Sequence, residues 1–485
     1  MHGLTRIAAL TCAGQLACAP LKPGVDRRDV SAPLDDVVDA SPTDGGVGCP
    51  PPNERVAVRL PAVGTDAVID SDTTWSCRFR YELAGPVFVT RNATLTVEAG
   101  VEVRAARDAM LLVTRGAQLV ANGRRDAPIV FTSDRPVGTR APRDWRGIVL
   151  LGSARTHDPI NTAVDATTAP ADARGHYGSG SAGPSTGNCG SLRFVRVEFA
   201  GGSTGSNGSP GAALSLAGCG TDTTVDYVQV HRGSDGVGLY GGEVALTHLL
   251  VTGAASDGIE WVRGYRGRMQ FVIVQQRATG AGAGAAIKGN NAEGAESATP
   301  VSSPTIFNAT LIGVDLVPMM PPTGEEVGYA MQFGSTGAIR NSILFGFKSY
   351  AFDVRHPSST AAISTMTAGL SHSIVFDNGR GLMARPQFPG AGVELDDGDD
   401  DDGNFDEDTT LRQPGTRLRL VDPQLSNARA DLVAPSFGTA SNVIEQDTSL
   451  ATAAGMQPTA FVGALAPNAV GDDDWTRGWT SYPNN

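Results

Sequence analysis

Two aspartates, Asp235 in SDGV (234–237) and Asp257 in SDGI (256–259), stand 22 residues apart, with Glu243 and Glu260 close by in the chain. Paired carboxylates can do one of three things. They hold a hard cation such as calcium through oxygen, pass a proton during glycan cleavage, or cap turns by accepting backbone N–H groups. Distance decides between these, and the intervening residues set the distance. Arg232, Arg263, Arg266 and Arg268 lie in the same stretch and supply the basic partner a polysaccharide lyase would need.

The stretch is repetitive. LRFVRV (192–197), VDYVQV (225–230), THLLVT (247–252) and MQFVIV (269–274) share one pattern. Tyr227, Leu249 and Phe271 follow the 22-residue step of the two aspartates. Short apolar strands at such a step predict a β-solenoid. Stacked coils would then put Asp235 and Asp257 about 4.8 Å apart. Two bare carboxylates at that distance repel by about 3–4 kcal/mol at an effective dielectric near 20. They need a cation, a shared proton or donors from their own turns.

The strands themselves bend. In LRFVRVEF the apolar phase flips between Phe194 and Val195. A slip of one residue reverses every side chain unless the chain turns a corner there. NATL (92–95) and NATL (308–311), with NSIL (341–344) and HSIV (372–375), place Asn92, Asn308, Asn341 and His372 just before strands. Asn and His tolerate left-handed backbone, so these four are predicted corner residues whose side chains could bond coil to coil. The Asn-Ala-Thr sequon is the weaker reading, since NSIL lacks the threonine.

Composition agrees with an all-β chain. Sixty Gly and 30 Pro punctuate 485 residues of which 41% are hydrophobic, and long helical patterns are absent. The net charge is −13, and residues 394–408 alone hold ten acidic and no basic side chains, which leaves −3 for the rest. No basic stripe offers a nucleic-acid surface. The acidic run fails calcium-loop spacing, because Gly398 falls where a ligand is required, and reads as a solvated insertion. The Gly/Ala run 278–289 lacks the Gly-Lys-Ser/Thr end of a phosphate loop. His231 and His248 are groove candidates, with a structural role as the default.

The N-terminus carries one Arg and then an apolar stretch from Ile7 to Ala17, too short to span a bilayer and suited to a signal peptide. Leu16-Ala17-Cys18 resembles a bacterial lipoprotein box, although Gln15 replaces the usual aliphatic residue. Lipidation of Cys18 and plain cleavage near Ala19 both remain open. With Cys12 and Cys18 set aside, four cysteines are left. Export favours Cys49–Cys77 and Cys189–Cys219 disulfides over a zinc site, which would want CxxC spacing. Each loop would contribute about 3–4 kcal/mol by chain entropy.

The stretch LTVEAGVEV…LLVTRGAQLVANGRRDAPIVFTSDRP…DWRGIVLLG (95–152), with CGSLRFVRVEFAGG (189–202), SPTIFNATLIG (303–313) and the tail DWTRGWTSYP (474–483), resembles a family of exported bacterial right-handed parallel β-helix proteins. That family shares the pectin lyase-like fold, and some members resemble outer-membrane lipoproteins. Single Asp235 and Asp257 stand where the family often has acidic pairs. The resemblance implies an all-β, single right-handed parallel β-helix of about 22-residue coils with longer loop insertions. It implies no activity. The expected division is a lipoprotein-like signal peptide (1–18), a flexible, disordered tether (19–58), an N-terminal cap (59–90), the β-helix (91–390), an acidic loop insertion (391–412), and last coils with a C-terminal cap (413–485). Trp75, Trp475 and Trp479 are the expected apolar end covers. The expected function is that of a monomeric surface or secreted lipoprotein, held to the membrane by its lipid and binding a glycan or surface protein along its length. A polysaccharide lyase or glycoside hydrolase acting on an acidic polysaccharide is the alternative, with calcium at the carboxylates as its metal.

Overall fold

The computed structural model describes residues 48–61, 66–160, 162–163, 173–202, 211–276, 284–313, 326–365, 367–378, 402–425, 437–439 and 448–483. Cys18, the signal segment and most of the tether and acidic run lie outside them. The chain winds as an all-β right-handed parallel β-helix with three faces.

The first face runs from Thr73–Trp75, Thr94–Val97 and Gln118–Asn122 to Ala338–Arg340 and Gly369–Ser371. The second runs from Val56–Leu60, Phe79–Leu83, Glu102–Ala105 and Ile129–Ser133 to Ile343–Phe345 and Ile374–Phe376. Between those ends, five long strands each supply both faces: Gly190–Glu198, Thr224–His231, Ala245–Thr252, Arg268–Gln275 and Thr305–Ile312. The third face is a separate ten-stranded sheet from Ala67–Ile69 to Phe352–Val354. Inside, like sits on like. Leu192, Val225, Leu246, Met269, Ile306 and Ile339 form one buried column, and Ile148, Leu214, Val237, Ile259 and Ile287 another.

Each long strand bends at one residue with left-handed backbone. The register aligns Phe194 (φ 48°), Tyr227 (53°), His248 (46°), Phe271 (58°), Asn308 (54°), Asn341 (50°) and His372 (51°) in a single column. Bulky residues rarely adopt this conformation. Here their outward rings repay it by stacking, at centroid distances of 4.5, 4.2 and 5.0 Å from Phe194 through Tyr227 and His248 to Phe271. His248 therefore belongs to this column, where the 22-residue count had placed Leu249. Leu249 points inward, between Val228 and Val272. Asn92 is also left-handed (60°), but it precedes the strand Thr94–Val97 at the turn from the third face to the first. The two NATL segments thus occupy different corners. Asn308 is fully buried, which removes its sequon reading.

The boundaries shift too. Val56–Leu60 pairs with Phe79–Leu83, so stacking begins inside the expected tether, and residues 59–90 supply strands to all three faces. Disulfides join Cys49 to Cys77 and Cys189 to Cys219. At the edge of the acidic run, Asp402 and Glu407 are buried, and Glu407 accepts the Val354 N–H at 3.1 Å. That part of the insertion is packed against the third face, not solvated.

The expected C-terminal segment divides: residues 416–419 lie in parallel on residues 372–375 as a further coil, whereas Trp475 and Trp479 cover no end of the solenoid. The main sheets end at Phe376, and residues 457–483 run along the outside of the second face. Gln270 and Gln229 each pair bidentately with the tail backbone, at Gln457 and Ser481. Asn308 donates to Phe461 O at 3.0 Å. Trp479 meets Phe194 and Tyr227 edge-on, and Trp475 does the same to Tyr227 and His248. Leu250, Ile273, Ile312, Ile343 and Phe345 point outward from the second face and are buried beneath this strap. Truncating a buried Trp costs about 3–5 kcal/mol. Trp479→Ala should lower unfolding free energy by that order and raise binding of an apolar dye. A loss within 0.5 kcal/mol in urea titration would mean the strap is peripheral.

Candidate functional site

The turn into the third face brings the two aspartates onto adjacent coils. The Asp257 N–H donates to Asp235 Oδ1 at 3.2 Å. Asp257 Oδ1 accepts the Ala285 N–H at 2.8 Å, and its Oδ2 lies 3.4 Å from Lys288 Nζ. A Cβ on Gly284 would fall 2.2 Å from Asp257 Oδ1, so only glycine lets that backbone approach. Further along the face, Glu260 stands in register between Gly238 and Lys288. Its Oε1 accepts Asn290 Nδ2–H at 3.0 Å. A Cβ on Gly238 would meet the Tyr240 ring at 2.9 Å, which shows that the half-buried ring lies across that glycine, one coil before Glu260.

The electrostatics follow from burial and like charge. Desolvation first, and the Asp257 charge second, push the Asp235 carboxyl up to about 6. Desolvation pushes Glu260 up to about 7, opposed by Lys288 and reinforced by Asp257 and Asp235. Carboxyls raised in the fold are stabilising while protonated, below their unfolded values near 4. That contribution is lost as pH rises through about 6 and 7. Asp235→Asn and Glu260→Gln should therefore stabilise the chain at pH 8 by about 1–2 kcal/mol each, with the gain fading toward pH 4. Unfolding curves at both pH values check this; a stabilisation that does not change with pH would contradict the assignment.

The other candidates lie elsewhere. Glu243 belongs to a different contact, 2.6 Å from Arg155. Arg263 is held 2.8 Å from Asp158, whose other oxygen accepts the Tyr177 hydroxyl at 2.9 Å. Arg268 donates to Ala454 O, just ahead of the strap. His231 is fully buried against Thr252 and Pro483, and burial pulls it down to about 3. With His248 in the aromatic stack, neither histidine lines a groove. Among the described residues no three Asp, Glu, His or Cys side chains converge as a metal set.

Lys288, Asn290 and Tyr240 are the members that sequence reasoning missed. IKGN (287–290) is the next copy of IEWV (259–262), but a longer loop stretches the step to 28 residues and hides the alignment.

A three-faced parallel solenoid with a charged cluster on one lateral face defines a β-helix protein of the pectate-lyase-like class. A family model described as a pectate-lyase like beta helix domain matches residues 67–380. The chain belongs to that family. Searches of curated proteins and of solved structures found no match. The two disulfides suit an oxidising compartment. Among the described residues no helix is long and apolar enough to cross a membrane.

Proposed function

We propose that this chain is an exported, non-enzymatic β-helix that binds a glycan along its third face. One observation carries the reading: each carboxylate of the cluster already has a partner within the chain. Asp235 accepts a backbone N–H, Asp257 has a backbone N–H and Lys288, and Glu260 has Asn290. Arg263 and Arg268 are engaged away from it. Groups fixed in this way offer a stable hydrogen-bonding surface more readily than a proton relay. Tyr240 adds a half-buried ring of the kind that sugar rings pack on. A surface protein or secreted partner is the alternative occupant of the same face.

A second reading has its own support. Asp235 and Glu260 titrate near 6 and 7, where a general acid or base works best. This favours a polysaccharide lyase or hydrolase. A glycan array on the full chain, with reducing-end and unsaturated-uronate assays, separates the two. Binding without turnover is expected. Turnover abolished by Asp235→Asn would replace the first reading with the second.

The address we infer is the outer membrane or cell surface, with lipid on Cys18. The apolar run before Cys18 supports it, as does the tether composition after it. Cys18→Ser should move the chain from the membrane fraction to the soluble exported fraction. Unchanged membrane recovery would rule out the lipid.

A further inference from the structure

The two ends of the solenoid are finished differently. At the C-terminal end the core is closed. Ile363 of the helix Pro357–Ser364 and Leu411 of the helix Glu407–Leu411 are buried in it, and Phe405 and Leu418 pack against it. At the N-terminal end the first coil is bare. Among the described residues, Val56–Leu60, Ala67–Ile69 and Thr73–Trp75 each pair only with the coil below. Their inward Val58, Leu60, Ala67 and Ile69 are half-buried, whereas Tyr81, Leu83, Val87 and Val89 beneath them are buried. Val56 is 67% exposed and Val68 54%. The carbonyls of Leu60, Ile69 and Trp75 accept from the coil below. Peptide groups alternate along a strand, so those of Ala57, Arg59, Val68 and Thr74 point to the open edge. Among the described residues none bonds to them. An unpaired edge of this kind is a template for another chain.

The chain reaches this coil from the side. Cys49 is bonded to Cys77 and lies beside Ala99 and Gly100, and Arg55 donates to the Gly100 carbonyl at 2.6 Å. These contacts hold residues 49–55 along the corner into the second face, not across the end.

We propose that the open end pairs with the open end of a second copy of this chain, about a two-fold axis through Val58. Such an axis reverses the sense of winding, so every strand meets its partner antiparallel. It sets Val56–Leu60 against itself and Ala67–Ile69 against Thr73–Trp75. The lengths agree: five residues meet five, and three meet three. Centring on Val58 puts Ala57 opposite Arg59, and Val68 opposite Thr74. These are the residues whose peptide groups point to the edge, and Arg59 does not face its own copy. Covering Leu60 and Ile69 then closes the core. The second faces run on as one sheet through the axis. The covered C-terminal end offers no matching edge, so the assembly stops at two chains.

The test uses the full chain carrying Cys18→Ser, so that lipid cannot drive association. Sedimentation equilibrium should give a dimer at about 10 µM. Ala57→Pro and Val68→Pro remove edge-facing N–H groups and leave the ladder to the coil below in place. Each should weaken the dimer by about tenfold or more. Val137→Lys, at an exposed apolar residue on a distant loop, should not. Near-ultraviolet circular dichroism would confirm that the variants fold, and the mass of the parent chain stands without them. A monomer at about 100 µM would overturn the proposal. Trimers or longer assemblies would overturn the two-fold arrangement. A dimer that neither proline variant weakens would place the contact elsewhere and overturn the assigned edge.

Discussion

Every coil of this molecule must return the chain to the same place, one strand spacing further along the axis. That closure condition governs the rest. A coil can be lengthened freely where it leaves the sheets, as the loops before Gly190 and Ile287 show. It cannot change length between the first and second faces, because the two half-strands there are continuous. The whole turn is made by one residue with left-handed backbone. Seven consecutive coils meet the condition with Phe, Tyr, His or Asn, and none of the seven uses glycine. Glycine would adopt the angle more easily. Phe194, Tyr227, His248 and Phe271 instead stack on one another, and the Asn308 side chain bonds to the strap. The strained corner is thereby tied both along its own column and to the strap.

The second face shows what happens to a sheet that is buried on one side and has two different neighbours on the other. Near the N-terminus its outward residues alternate in charge across coils. Arg59 lies against Glu82 and Glu82 against Arg104, while Arg80 lies against Glu102. Such a charged surface discourages pairing with another sheet. From Leu250 onward the outward residues are mostly apolar, and the strap covers them. One set of strands therefore reads as polar-out in its early coils and apolar on both sides later. The strap meets amide side chains at Gln229 on this face, at Asn308 on the corner and at Gln270 on the first face beyond it, and the tryptophans fill the spaces beside the aromatic column.

The architecture was largely legible because it repeats. The bend between Phe194 and Val195, the solenoid and both disulfides follow from local pattern and pairing of neighbouring cysteines. Two of the errors share one cause: a period of 22 is an average. The step from Tyr227 to His248 is one short and that from His248 to Phe271 one long, so a fixed count selected Leu249. Lys288 was hidden by a longer loop. The strap could not be read at all. Trp475 and Trp479 look like end covers in sequence, since nothing local says that a terminus folds back over coils some 250 residues earlier. Glu243 failed for the opposite reason. It is close to Asp235 in the chain, but the turn after Tyr240 carries it off the face and onto Arg155.

The same closure condition explains why the candidate site has its electrostatic character. In a solenoid, residues at equivalent positions are neighbours whether or not their charges agree. Repeating an Asp-Gly turn therefore stacks Asp257 beside Asp235, and the repulsion must be met locally. The chain meets it in three ways at once. Asp235 and Glu260 are held toward their protonated forms, backbone N–H groups from Asp257 and Ala285 are turned onto the carboxylates, and the next coil substitutes Lys288 at the position below Glu260. The register itself runs on, Lys288 to Ala330 and Asn290 to Gln332, so the charge is dispersed along the face by changing the residue type from coil to coil while the backbone repeat is kept.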